Sequence, residues 1–199
     1  NDAKNQMIRI VAQWITNPNS KGNVIGIEGP MGNGKTTLVK EGICKALDIP
    51  FSFIPLGGAQ DGTILEGHSF TYEGSTHGKV IESLMQSKCM NPIFFFDELD
   101  KVSETYRGQE IIGILMHLTD PSQNEKFNDK FFSDIDFDLS RALFIFTFND
   151  ATLINPILRD RMTIIKTDGY SINDKVVIGK DYMLPKIVKE FGFQDNDLH

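Results

Sequence analysis

Gly29-Pro30-Met31-Gly32-Asn33-Gly34-Lys35-Thr36 is the stretch whose reading decides the fold of this chain. It fits the spacing G-x-x-x-x-G-K-[ST], and its surroundings fit too. The apolar run Val24-Ile25-Gly26-Ile27 before it predicts a short buried strand; the residues from Thr37 to Leu47, apolar at 38, 39, 43, 46 and 47, predict a helix. Strand, glycine loop and helix start together cradle phosphate: the glycines let backbone N–H groups turn inward, and the helix N-terminus adds the positive end of its dipole. On this reading Gly29, Pro30, Met31, Gly32, Asn33, Gly34, Lys35, Thr36 and Thr37 bind nucleotide. Lys35 reaches the β- and γ-phosphates of ATP, and the Thr36 hydroxyl holds Mg²⁺. The bland alternative, a glycine-rich turn that matches by chance, does not account for the flanking strand and helix.

A chain of 199 residues holds one large domain, or one domain and part of a second. Its 40% hydrophobic and 24% charged content is that of a soluble globular protein. A net charge of −7 argues against non-specific nucleic-acid binding, which calls for a basic face. Cys44 and Cys89 are far apart and lack C-x-x-C spacing, so two reduced thiols in an intracellular compartment are expected, cytoplasm and mitochondrial matrix being equally compatible. The four histidines (68, 77, 117 and 199) lack metal-ligand spacing. No apolar run approaches membrane-spanning length, and no signal peptide opens the chain. The start at Asn1 rather than Met points to a piece of something longer.

In chain order, residues 1–20 read as a helix with Met7, Ile8, Ile10, Val11, Trp14 and Ile15 at helical spacing, stopped at Asn17-Pro18 and followed by a linker. Phe51 to Ile54 is a second strand. Six glycines between 57 and 78 punctuate a tightly turned segment around a short helix. Lys79 to Lys88 is an amphipathic helix, and Pro92 to Phe96 a continuously apolar strand that ends in Asp97-Glu98. Ile111 to Leu118 reads as a helix, 122–140 as polar loop, Arg141 to Phe148 as a buried strand, and Met162 to Lys166 as a last short strand. From Asn173 the chain begins as helix, with Pro185 expected to break it. Strands separated by helices predict a parallel α/β sheet, with a large subdomain over 21–170 and a helical segment over 171–199.

In such a sheet ligands sit at the carboxyl ends of the strands, where Asp97, Glu98 and Asn149 fall. Asp97 is expected to bind Mg²⁺ through water, Glu98 to polarise the attacking water, and Asn149 to orient it. The bland reading of the acid pair is a charge at a helix N-terminus; a phosphate loop upstream favours the catalytic one. The alternation Asp134, Asp136, Asp138 fails as an EF-hand, since Leu139 and Ile145 stand where Gly and Glu are required.

With these motifs in place, the chain resembles the AAA+ ATPase module of Lon-type ATP-dependent proteases from about residue 24 to 187. The resemblance rests on Gly29 to Thr37, Leu56-Gly57-Gly58, Gly67-His68, Thr71-Tyr72-x-Gly74, Phe96 to Lys101, and Asp120-Pro121-x-Gln123-Asn124. Phe137 to Ser140, Leu158-Arg159-Asp160-Arg161-Met162, Gly169-Tyr170 and Leu184-Pro185-Lys186 extend it. It implies a P-loop NTPase core, the start of a C-terminal helical lid, and a homo-hexameric ring that uses ATP and Mg²⁺ to unfold protein and draw it through a pore. It implies that Arg161 is the arginine finger reaching a neighbour's γ-phosphate, where its bland reading is a surface ion pair. Tyr72 matches the pore-loop aromatic, Tyr106 lies in a stretch like the second pore loop, and Tyr170 and Ile178 match positions near the adenine. Glu73 departs from the aliphatic residue usual after the pore tyrosine, and Phe70 from a frequent basic residue. Neither the lid's later arginine nor a Ser-Lys protease domain lies within these residues. A nucleic-acid remodeller of the helicase-loader or clamp-loader type and a nucleotide-controlled assembly scaffold are the alternatives. The acidic charge disfavours the first, and the full set Lys35, Asp97, Glu98, Asn149 and Arg161 the second.

Overall fold

Strands whose residues are apolar at every position need cover on both faces, and the sheet supplies it. The computed structural model describes residues 2–17, 24–71, 73–102 and 105–191. Five strands, β1 (Val24–Glu28), β2 (Phe51–Pro55), β3 (Ile93–Asp97), β6 (Leu143–Phe148) and β7 (Thr163–Lys166), form one sheet in the order β2-β3-β6-β1-β7. All four pairings are parallel. Successive side chains of a strand point to opposite faces. Phe94, Phe96, Phe144, Phe146 and Phe148 therefore line one face, with Val80, Leu84, Ile111 and Leu115 of the Lys79–Ser87 and Tyr106–Thr119 helices. Ile25, Ile27, Ile93, Phe95, Leu143 and Ile145 line the other, with Met7 of the Asp2–Thr16 helix and Val39 and Ile43 of the helix after the glycine loop. That helix is continuous over 35–47, with a π-helical stretch Leu38–Cys44 inside it. Cys44 is buried there, and burial pushes its thiol up to about 11, making it inert at neutral pH.

The centre of the first face is a stack of rings across β3 and β6: Phe96 lies on Phe146 with centroids 4.8 Å apart at 12°, and Phe94 on Phe144 at 5.5 Å and 9°. Phe96 is fully buried, so Phe96→Ala is expected to cost about 3–5 kcal/mol through the lost burial and the cavity left behind. A denaturant midpoint at the wild-type value would refute this.

Three sequence expectations need correction. The helix expected over Ile111 to Leu118 spans Tyr106–Thr119, because the Thr105 side chain caps it by accepting from the Gly108 N–H (3.4 Å). Residues 122–140 are not simply loop: β4 (Phe127–Asn128) and β5 (Asp136–Phe137) pair antiparallel after a short turn. Buried Asp129 accepts from the N–H groups of Gly78 (2.8 Å) and Phe131 (2.9 Å), and Phe131 and Phe132 pack around His77. Packing aromatic side chains and a satisfied buried carboxylate hold the excursion, signals that periodicity does not carry. Finally, Pro185 breaks nothing. The chain divides into units of residues 1–167 and 168–199, and the second is helical from Ile172 to Phe191. Its start is fixed by a capping box between Ser171 and Asp174. A π-helical turn, Gly179–Met183, precedes Pro185, at the point where the ring would meet the i−4 carbonyl of a regular α-helix. Among the described residues no helix is long and apolar enough to cross a membrane.

Candidate active site

The strand order creates the site. β6 lies between β3, which ends in the acid pair, and β1, which leads into the glycine loop, so the three carboxyl ends converge. The loop is pinned at its root: Gly29 N–H donates to Phe148 O (3.1 Å), and Asn33 Nδ2 to Thr167 Oγ1 (2.6 Å). Gly32 (φ +74°) and Gly34 (φ +80°) adopt the left-handed conformation that side chains resist, and Gly34 passes directly into the helix at Lys35. The helix's first N–H groups thus have no earlier carbonyl to bond and face the loop. Lys35 Nζ folds back to donate to Gly29 O (2.6 Å) and Pro30 O (2.9 Å), and sits 3.4 Å from Asn149 Oδ1. Desolvation lowers the Lys35 pKa, a shift opposed by the negative charges of Asp97, Asp100 and Glu98.

Opposite the loop, Thr147 Oγ1 donates to Asp97 Oδ1 and accepts from the Glu98 N–H (3.3 Å). Asp100 Oδ2 accepts the Asn149 N–H at 3.2 Å. Thr147, Asp100 and Gly57 are site residues to which the sequence reading gave no role. Thr147 had a signal, as the one polar side chain in the buried strand Leu143–Phe148. Gly57 had none. A Cβ there would stand 2.0 Å from Glu98 Oε2, so the absence of a side chain at 57 is what leaves room for the carboxylate. Glu98 itself has φ +61°, the left-handed region that non-glycine residues adopt at a cost; among the described residues only Asp48 and Lys88, both at helix ends, share it.

Between the two walls lies a cavity of about 430 Å³, lined by Met31 to Thr37 on one side and Asp97, Glu98, Asp100, Thr147 and Asn149 on the other. Its polar groups are one cation, backbone N–H groups, hydroxyls, two side-chain amides and three acids. Thr36 and Asp97 both line this one space, and hydroxyl and carboxylate oxygens are donors that Mg²⁺ prefers. The sequence of the unit says the same: the model of the ATPase family associated with various cellular activities (AAA) matches residues 25–169. The chain belongs to the AAA ATPase family. It binds and hydrolyses ATP.

Three relatives of this AAA ATPase extend the likeness along its whole length. It is 41% identical over 199 residues to a Lon protease homolog of Acanthamoeba polyphaga mimivirus, covering 100% of this chain and 19% of the relative. It is 39% identical over 195 residues to a Lon protease of Cytophaga hutchinsonii, covering 98% and 24%. It is 38% identical over 195 residues to Lon protease 1 of Bacillus subtilis, covering 98% and 25%. The chain therefore spans about a fifth to a quarter of the length of the curated relatives it matches.

Neither Arg161 nor Tyr106 is among the residues that line the cavity. Arg161 follows the short Pro156–Asp160 helix, and its guanidinium donates to Met116 O, to Thr119 Oγ1 (3.4 Å) and to Asp120 Oδ2 (3.0 Å). Within this chain it makes the ion pair of its bland reading, and it does not line the cavity. Tyr106 is the first residue of a helix rather than part of a loop, and is 81% exposed. Tyr72 lies outside the described residues. Tyr170 and Ile178 belong to the second unit, the first before its helix and the second at the end of the Ile172–Ile178 segment.

Proposed function

We propose that this ATPase drives the unfolding and translocation of protein chains through the pore of a homo-hexameric ring, as the motor module of a Lon-like protease. The cavity carries the catalytic half of this reading, because it gathers Lys35, Thr36, Asp97, Glu98 and Asn149 around one space. Lys35 exchanges the carbonyls of Gly29 and Pro30 for phosphate oxygens, a cation moving from neutral acceptors to anionic ones. Glu98 accepts a proton from the attacking water, and Asn149, held by Asp100, fixes the geometry of Lys35 and that water. Thr36 and Asp97 would hold Mg²⁺, which would supply positive charge against the phosphates. Arg161, turned away from its own chain's cavity, would supply the trans charge to a neighbour.

Likeness along this chain's own length to part of three proteins named Lon protease supports the mechanical half. Tyr72 and Tyr106 would line the pore, where aromatic rings grip a chain without reading its sequence. Tyr170 and Ile178 would flank the adenine. The test is the ATPase rate against protein concentration, with and without an unfolded protein. Turnover that rises with assembly and with unfolded protein, and Tyr72→Ala that keeps turnover but loses translocation, are the expected results. Stimulation by DNA instead would overturn the reading in favour of a nucleic-acid remodeller.

A further inference from the structure

We propose that Asp120 is a positioning residue for Arg161, gripping one part of the guanidinium so that the rest is presented to a phosphate group bound by a second copy of this chain. The inference rests on the trans role given to Arg161 above. It starts from how thoroughly that side chain is held. Nη1 donates to both Met116 O and Thr119 Oγ1, and Nη2 donates to Asp120 Oδ2. These three acceptors sit at the C-terminal end of the Tyr106–Thr119 helix, where unsatisfied carbonyls and the negative end of the dipole attract a cation. Arg159, two residues earlier, reaches only the carbonyl of Ala151 at 3.4 Å among the contacts described. Of five guanidinium N–H groups three are thus engaged; Nε–H and one Nη2–H have no acceptor among the described residues, and the side chain is 29% exposed. The N–H groups left over on this fixed planar fork suit a phosphate's oxygens.

Asp120 is itself rigidly placed. Its Oδ1 accepts from the Ser122 N–H (2.9 Å) and hydroxyl (2.6 Å), and its Oδ2 accepts from Gln123 Nε2 (3.1 Å) as well as from Arg161. The Ser122 hydroxyl and N–H, aided by the Arg161 charge, hold the carboxylate below its ordinary pKa. It therefore stays ionised wherever ATP is hydrolysed. The Asp120-Pro121-x-Gln123 motif thus gains a job: it builds a fixed anionic seat for one arginine.

The test is steady-state kinetics of the assembled ATPase carrying Asp120→Ala, Asp120→Asn, Arg161→Ala or the Asp120→Ala/Arg161→Ala pair. Arg161→Ala should lower kcat by about 10³-fold. Asp120→Ala should lower kcat by roughly tenfold or more, since a loosened catalytic group loses its near-attack geometry. KM for ATP and oligomer size should stay within about twofold, and the double variant should be no slower than Arg161→Ala, as for groups acting as one unit. A merely structural role would move stability without this split between kcat and KM. If Asp120→Ala fails to fold, the isosteric Asp120→Asn carries the same test. Unchanged or raised kcat in the Asp120 variants, with Arg161→Ala inactive, would overturn the positioning role and leave the trans role standing. Wild-type kcat in Arg161→Ala would overturn both.

Discussion

Glu98→Gln is expected to abolish turnover while leaving ATP bound. Glutamine keeps the length and shape of the side chain, and the backbone N–H that meets Thr147 Oγ1 is untouched. What it loses is the ability to take a proton from water, and general-base catalysis is worth about 10²–10⁴-fold. Phosphate release should fall by at least about 10²-fold, while ATP affinity measured at equilibrium changes by no more than about twofold. Residual turnover above a tenth of wild type would remove Glu98 from the catalytic role. Gly57→Ala probes the same carboxylate from the other side. The new methyl would occupy the place of Glu98 Oε2, and since that is the free end of a side chain, the carboxylate moves and the fold persists. A displacement of about 1 Å in a catalytic group costs roughly 10²-fold. ATP binding, carried by the loop on the opposite wall, should survive.

Lys35→Ala should act at the earlier step and remove ATP binding. Lys35 is the cation that the cavity sets among Asp97, Glu98 and Asp100. Deleting it loses charge-assisted hydrogen bonds worth about 1.5–3 kcal/mol each, and leaves three carboxylates facing an incoming triphosphate. Affinity should drop by about 10²-fold or more. Lys35→Arg should not restore it, because the planar fork does not fit a recess shaped for a point charge near Gly29 O and Pro30 O. Because burial lowers the Lys35 pKa, its charge is lost at a lower pH than an ordinary lysine's. Affinity should therefore weaken with rising pH at a lower pH than a lysine of ordinary pKa would give. Isothermal titration across alkaline pH checks the sign; affinity flat to the ordinary lysine value would contradict it.

Much of this was legible in the sequence because it is local. A glycine loop, a following helix and an apolar strand ending in acids are written in consecutive residues. Their spacing and periodicity predict the elements that the fold contains. The same locality explains the failures. Residues 122–140 read as loop because Asp129 finds its partner at Gly78 and Phe132 its ring neighbour at His77, both far along the chain. Pro185 read as a break because the π-helical turn that accommodates it has no sequence rule as firm as the proline rule.

The sequence by itself determined a glycine loop of phosphate-cradling pattern at Gly29 to Thr36, acids at the end of a buried strand, and a parallel α/β architecture. Only the tertiary structure decided that β6 stands between β3 and β1, so that Thr147 bridges to Asp97 and Asn149 comes to Lys35. Only it placed Glu98 over Gly57, and Arg161 on Asp120 at the end of a helix. Periodicity tells which face of an element is buried. Which strand lies beside which is settled by packing of the whole sheet, and that packing brings residues 50 or more positions apart into one site.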